Sequence, residues 1–306
     1  MSTPPFLTLP GCARSVRLRT ARGEFAALHA VPEGDTRGVA LLVPGFTGSK
    51  EDFIALLAPL AADGFEVYAV DQRGQYETGG PDDAAAYALE EFSLDLLALT
   101  AELRAGTTGV SGSVASLRRA PHLVAHSFAG YVARDAVLRA TGTPLPWSSL
   151  TLLSTGPAAI GHGETERAKL LLAALPAMTL EEIWQAMQDM DEAGGVGARL
   201  EPEIAGFLHR RWLANVPAAL SAMAQQLVSE PDRVDELAKA PLPKLVLSGE
   251  TDYAWPVELQ AQMALRLSAE HVVIPGAGHS PNAERPEGTA VSLAAFWTAH
   301  SGGEQG

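Results

Sequence analysis

An α/β fold, with a mainly parallel eight-stranded sheet flanked by helices and an inserted block of helices, is what this sequence predicts, and three observations carry the prediction. Short apolar runs of strand length alternate with longer amphipathic runs from residue 38 to residue 299, and such alternation needs crossover helices and parallel strands covered on both faces. Two alternating segments near the start read as an antiparallel pair. The stretch 156–240 contains no convincing strand and several helical patterns. With 306 residues there is chain enough for one α/β domain carrying an insertion. The expected division is a core domain of residues 1–155 and 241–306 and a helical cap of residues 156–240.

In chain order, residues 14–20 and 24–30 form the opening pair, joined through Arg22-Gly23. Strands follow at 38–43, 65–70, 121–126, 149–154, 244–249 and 270–274, with helices near 52–62, 84–105, 128–140, 256–268 and 286–299. The run Gly106 to Ser113 is rich in small polar residues and reads as a mobile surface loop. Within the insertion, helical patterns cover Glu164–Leu175, Thr179–Met190, Glu201–Asn215 and Pro217–Ser229. Thr179 with Glu182 three residues on makes a capping box, and Pro202 and Pro217 suit first-turn positions where a missing amide hydrogen does no harm.

Composition narrows the function. The net charge of −14 argues against a nucleic-acid partner, which would call for clustered Lys and Arg. No segment reaches the roughly 18 consecutive apolar residues that span a bilayer, so a membrane partner is not expected. Cys12 is the single cysteine, which rules out an intrachain disulfide. Leu9-Pro-Gly-Cys12 lacks the charged start and apolar run of a signal peptide, and the protein is read as cytoplasmic. There is no His-Glu-x-x-His, cysteine pair, P-loop or well-placed Gly-x-Gly-x-x-Gly, so neither metal nor cofactor is expected. The expected partner is a small-molecule substrate, bound by a monomer or homodimer.

Ligands of a sheet of this kind bind beyond the carboxyl ends of its strands, and three reactive residue types fall there. Ala125-His126-Ser127-Phe128-Ala129-Gly130 sets a serine between an apolar strand and an amphipathic helix, with small residues two positions either side. The strand Lys244 to Gly249 leads into Glu250-Thr251-Asp252, and the strand beginning at His271 runs into a glycine-rich loop ending at His279. Serine is a poor nucleophile at neutral pH; it needs a base within hydrogen-bond reach, and the base needs an orienting carboxylate. Ser127, His279 and Asp252 fill those roles, with Glu250 the alternative acid. Their chain order, Ser…Asp…His, differs from those of the chymotrypsin and subtilisin folds.

With these residues in place the chain resembles an α/β-hydrolase-fold protein with a helical cap, over about Arg14 to Trp297. Val39 to Gly48 resembles the family's His-Gly segment, with Pro44 where histidine is frequent. Tyr68 to Gly74 resembles its Asp-x-Arg-Gly loop, with Tyr76 where a further glycine is common. The resemblance favours Asp252 over Glu250 as the acid. It also implies an oxyanion hole made by the backbone N–H groups of Phe46 and Phe128. Trp184, Met187, Met190, Trp212 and Met223 are candidates either for an apolar pocket beneath the cap or for plain core, and Trp255 for the pocket wall. His126 is expected to be a packed histidine and Arg73 a brace for its loop. The leading expectation is a serine hydrolase cleaving an ester, thioester, lactone or carbon–carbon bond of a small, fairly apolar carbonyl substrate. A lyase, cyclase or transferase on the same scaffold and a receptor that uses the pocket without catalysis are the alternatives.

Overall fold

The computed structural model describes residues 1–105, 119–140, 144–193 and 200–300; the expected loop at Gly106 to Ser113 lies outside them. Eight strands form one sheet: β1 (Ala13–Thr20), β2 (Gly23–Ala30), β3 (Gly38–Val43), β4 (Phe65–Val70), β5 (His122–His126), β6 (Ser149–Leu153), β7 (Lys244–Gly249) and β8 (Glu270–Ile274). Their spatial order is β1-β2-β4-β3-β5-β6-β7-β8. β1 and β2 pair antiparallel, as does β2 with β4, and all later pairs are parallel.

Strands β3 to β7 are buried at every position, which is why they read as mainly apolar runs without regular alternation. One face packs on α1 (Ile54–Ala62) and on α11 (Pro286–His300) through Leu56, Leu60, Leu293 and Trp297. The other face packs on α2 (Leu89–Ala105), α3 (Ala129–Arg139) and α9 (Val257–Leu267) through Leu96, Leu99, Tyr131, Val132 and Met263.

Between β6 and β7 run α4 (His162–Ala174), α5 (Leu180–Ala193), α6 (Pro202–Leu213), α7 (Pro217–Ser229) and the short α8 (Val234–Ala238). Thr179 caps α5 as its spacing predicts: Oγ1 accepts from the Glu182 N–H at 3.2 Å, while the Glu182 carboxylate accepts from the Thr179 N–H at 2.7 Å. Ala219, Met223 and Leu227 of α7 and Val234 and Leu237 of α8 all join the core shared by α2 and α3. A four-residue α10 (Pro281–Glu284) precedes α11.

Candidate active site

β5 ends at His126 and α3 begins at Ala129, leaving Ser127 and Phe128 to make the turn. Ser127 has φ of 54°, a left-handed conformation that a residue with a Cβ adopts only when its surroundings hold it there. Its N–H donates to the Leu153 carbonyl at 2.9 Å, and its own carbonyl accepts from the Gly130 N–H at 2.8 Å. Ala125 and Ala129 are fully buried. The closest approach falls one residue further on, where a Cβ on Gly130 would meet Thr155 Oγ1 at 2.4 Å. Alanine therefore suffices on either side of this serine, and the demand for glycine moves to Gly130.

His279, in the loop after β8, reaches both other candidates. Its Nε2 lies 3.0 Å from Ser127 Oγ and its Nδ1 2.9 Å from Asp252 Oδ1. An ionised carboxylate only accepts, which puts a proton on Nδ1 and turns the Nε2 lone pair toward the serine hydroxyl. Asp252 is itself pinned: Oδ1 accepts from the Ala254 N–H at 2.9 Å, and Oδ2 from the Gln260 amide at 2.9 Å. Glu250 turns elsewhere, accepting from the Gly276 N–H at 2.8 Å. Gly249 lets the acid strand meet the histidine loop, since a Cβ there would lie 1.9 Å from the Gly278 carbonyl oxygen.

His126 is buried, and its Nε2–H donates to the His279 carbonyl at 2.9 Å, so the residue before the serine holds the backbone of His279. Burial, with the neighbouring His279, pushes the His126 pKa down to about 3 and keeps the ring neutral. Two further rings lie against His279: Tyr253 at 4.9 Å between centroids and Trp255 at 6.0 Å.

The Pro44 to Gly48 loop beside the serine is braced by two side chains from the Asp71-Gln-Arg-Gly loop. Gln72 Nε2 donates to the Pro44 carbonyl at 2.8 Å and Gln75 Nε2 to the Gly45 carbonyl at 2.7 Å. In a trans peptide the C=O and the following N–H point in opposite directions, so fixing the Gly45 oxygen on Gln75 turns the Phe46 N–H the other way. Neither the Phe46 nor the Phe128 N–H donates to the backbone of another described residue. Gly45 is packed against the serine, where a Cβ would stand 2.8 Å from Ser127 Cβ and 3.2 Å from Oγ. Neither glutamine was singled out from sequence, although Gln72 lies within the Asp-x-Arg-Gly motif and Gln75 directly follows it. Arg73 binds Asp95, with Nε at 2.6 Å from Oδ2, and braces its loop.

A cavity of about 240 Å³ opens on Ser127 and His279. Of the predicted pocket residues, Met187, Trp212 and Trp255 line it, and so does Phe46, which was expected only as an oxyanion-hole donor. Trp184 does not: its ring packs on Trp212 at 6.4 Å and on His209 at 5.2 Å, because its side of α5 faces α6. Met190 is exposed and Met223 is in the core below. Ile160, Leu171 and Leu227 add apolar wall, and Glu164 and Arg167 from α4 add charge.

Ser2 also lines the cavity, a placement that nothing in the local sequence signals. Its carbonyl accepts from Arg211 Nη2 at 2.7 Å and its hydroxyl lies 2.8 Å from Ser280 Oγ. Arg211, on α6, is fully buried and pairs with buried Asp52 at 2.6 Å, joining the inserted helices to the segment that follows the Pro44 to Gly48 loop. A larger groove of about 670 Å³, lined by Cys12, Arg37 and Asp63 among others, lies at the amino ends of β3 and β4, away from all the predicted residues. Among the described residues no cluster of His, Cys, Asp or Glu is arranged to hold a metal ion, and no helix is long and apolar enough to cross a membrane.

A family model described as the alpha/beta hydrolase family matches residues 40–291. The chain is similar in structure to a thermophilic esterase from Thermogutta terrifontis, solved with malate bound, at 25% identity and a TM-score of 0.69, covering 94% of this chain and 99% of the esterase. It is similar also to the enol-lactonase of Burkholderia xenovorans at 17% identity and a TM-score of 0.69, covering 92% of this chain and 100% of that one. The N-acyl homoserine lactonase AidH, solved as a point mutant complexed with N-hexanoyl homoserine, matches at 18% identity and a TM-score of 0.71, covering 96% of this chain and 99% of that one. These last two likenesses concern the fold. No curated protein matches the chain.

Proposed function

Since the chain belongs to the alpha/beta hydrolase family and is a hydrolase, we propose that it is a serine hydrolase acting on an ester, thioester, lactone or carbon–carbon bond of a small, fairly apolar carbonyl compound. The observation that carries the proposal is the unbroken hydrogen-bonded series from Ser127 Oγ through His279 to buried Asp252, at 3.0 and 2.9 Å. In this reading Ser127 Oγ attacks the carbonyl carbon while His279 Nε2 takes its proton. The Phe46 and Phe128 N–H groups receive the oxyanion, each such donor being worth about 3 kcal/mol in a dry site. The intermediate collapses with His279 returning the proton to the leaving group, and a water activated by the same imidazole then releases the acyl group. Helices α4 to α7 act as a cap, and the cavity of about 240 Å³ falls below the range that encloses a drug-sized ligand, which favours a short acyl group.

The test is covalent labelling. A fluorophosphonate should label the protein, and Ser127→Ala should abolish labelling with the fold intact. p-Nitrophenyl acetate and butyrate should turn over with a transient adduct on Ser127 seen by intact-mass spectrometry. An adduct that persists without turnover favours a lyase or transferase, and labelling of Ser127→Ala at an unchanged rate removes this serine from the chemistry.

A further inference from the structure

We propose that Tyr253 stabilises the protonated form of His279 through the face of its ring. The proposal rests on the reading of His279 as the general base, which becomes an imidazolium each time it takes a proton from Ser127. Tyr253 follows directly on Asp252 and lines the mouth of the cavity. It is 57% exposed. Its ring centroid lies 4.9 Å from that of His279 at an interplanar angle of 48°. An aromatic face carries negative charge density, and a cation within about 6 Å of the centroid is attracted to it, whereas a neutral imidazole gains far less. Asp252 acts in the imidazole plane, at Nδ1, and Tyr253 lies against the ring beside it.

The other groups facing the imidazole leave this role open. His126 is neutral and contacts the carbonyl of His279. Glu284 is occupied by the Gly278 and Ser280 amides behind the loop, and Glu250 by the Gly276 amide. Glu164 and Arg167, across the cavity, pair with each other at 3.5 Å. Trp255, at 6.0 Å, is at the limit of the interaction and is anchored by its Nε1–H to the Ala158 carbonyl at 3.0 Å. Tyr253 is the near ring, and among the described residues its one aromatic contact is with His279.

The sign is fixed by which protonation state the ring favours. Losing the ring weakens the cation only, so the His279 pKa should fall. Losing it also admits water, which favours the cation and would raise the pKa, so the direction of change separates an electrostatic role from a shielding one. Titration of the His279 imidazole by NMR should show the midpoint lowered by roughly 0.4–0.7 pH units in Tyr253→Leu and unmoved in Tyr253→Phe. The kcat for p-nitrophenyl butyrate should fall about 2.5- to 5-fold in the leucine variant, with phenylalanine retaining the wild-type value. Pentafluorophenylalanine at position 253 keeps the shape and reverses the ring's charge distribution, so it should lower the midpoint as leucine does. A midpoint that stays or rises in Tyr253→Leu overturns the proposal. The titration needs no turnover, so it stands apart from the catalytic reading. If the wild type resists fluorophosphonate while the midpoints move as stated, the serine mechanism fails and the ring interaction survives.

Discussion

Removing the Arg211 guanidinium should cost far more than removing a surface charge, because the pair it forms with Asp52 is sealed from water on both sides. Both side chains are at most 1% exposed and their contact is 2.6 Å. Arg211 also donates to the Ser2 carbonyl and lies over the Phe207 ring at 5.3 Å. Burial raises the Asp52 carboxyl pKa, and the guanidinium opposes that rise. Arg211→Met keeps the volume and leaves a buried carboxylate without its counter-charge, a change that costs about 3–5 kcal/mol. Asp52 should then escape by taking up a proton. Its folded pKa rises above its unfolded one, so the folded state binds the extra proton and the variant loses stability as pH rises. Urea unfolding followed by tryptophan fluorescence should therefore find Arg211→Met weaker at pH 8 than at pH 5, and adding Asp52→Asn should recover stability at pH 8. A loss below about 1 kcal/mol, the worth of an exposed pair, or no recovery in the double variant, would refute the reasoning.

Two further outcomes follow from the geometry of the carboxylates and the buried histidines. Asp252→Asn should lower kcat by up to about 10⁴-fold through the wrong imidazole tautomer, while Glu250→Gln should act mainly on the loop that Glu250 holds; steady-state assays in which Glu250→Gln is the crippling change would reverse the assignment. His122 and His126 are both held neutral by burial, with pKa values of about 3. Between pH 6.5 and about 3 the unfolded chain binds protons that the folded one refuses, so stability should fall as pH drops, by about 1.4 kcal/mol per unit for each histidine. Urea midpoints that are flat or rise over that window in acid would contradict it.

The sheet was legible because burial on both faces leaves a plain mark on the chain: Val39 to Val43, Phe65 to Val70 and Leu245 to Leu247 are near-continuous apolar runs. The three residues brought into hydrogen-bond contact were legible because each follows a strand end, where side chains converge whatever the loops do. The resemblance was needed to prefer Asp252 to Glu250, since both are carboxylates in one turn and only the tertiary direction of the loop separates them. Side chains that act across elements left no local trace. Arg211 has the spacing of any helical arginine, and Gln75 and Gln260 look like solvated amides until the carbonyl or carboxylate that each one grips is in place. Trp184 had the same credentials as Trp212, and the rotation of α5 against α6 assigned one to the helix interface and the other to the cavity.

The strand order has a consequence for how the site comes into being. Ser127 follows the central strand β5 and His279 follows the edge strand β8, 152 residues later in the chain. At ribosomal rates the serine turn leaves the tunnel roughly 8–30 s before the imidazole that would activate it. During that interval the nascent protein carries an ordinary alcohol at a strained turn. On the proposed mechanism reactivity is withheld until the last strand is added, and a chain that stops short of β8 lacks the imidazole that the serine needs.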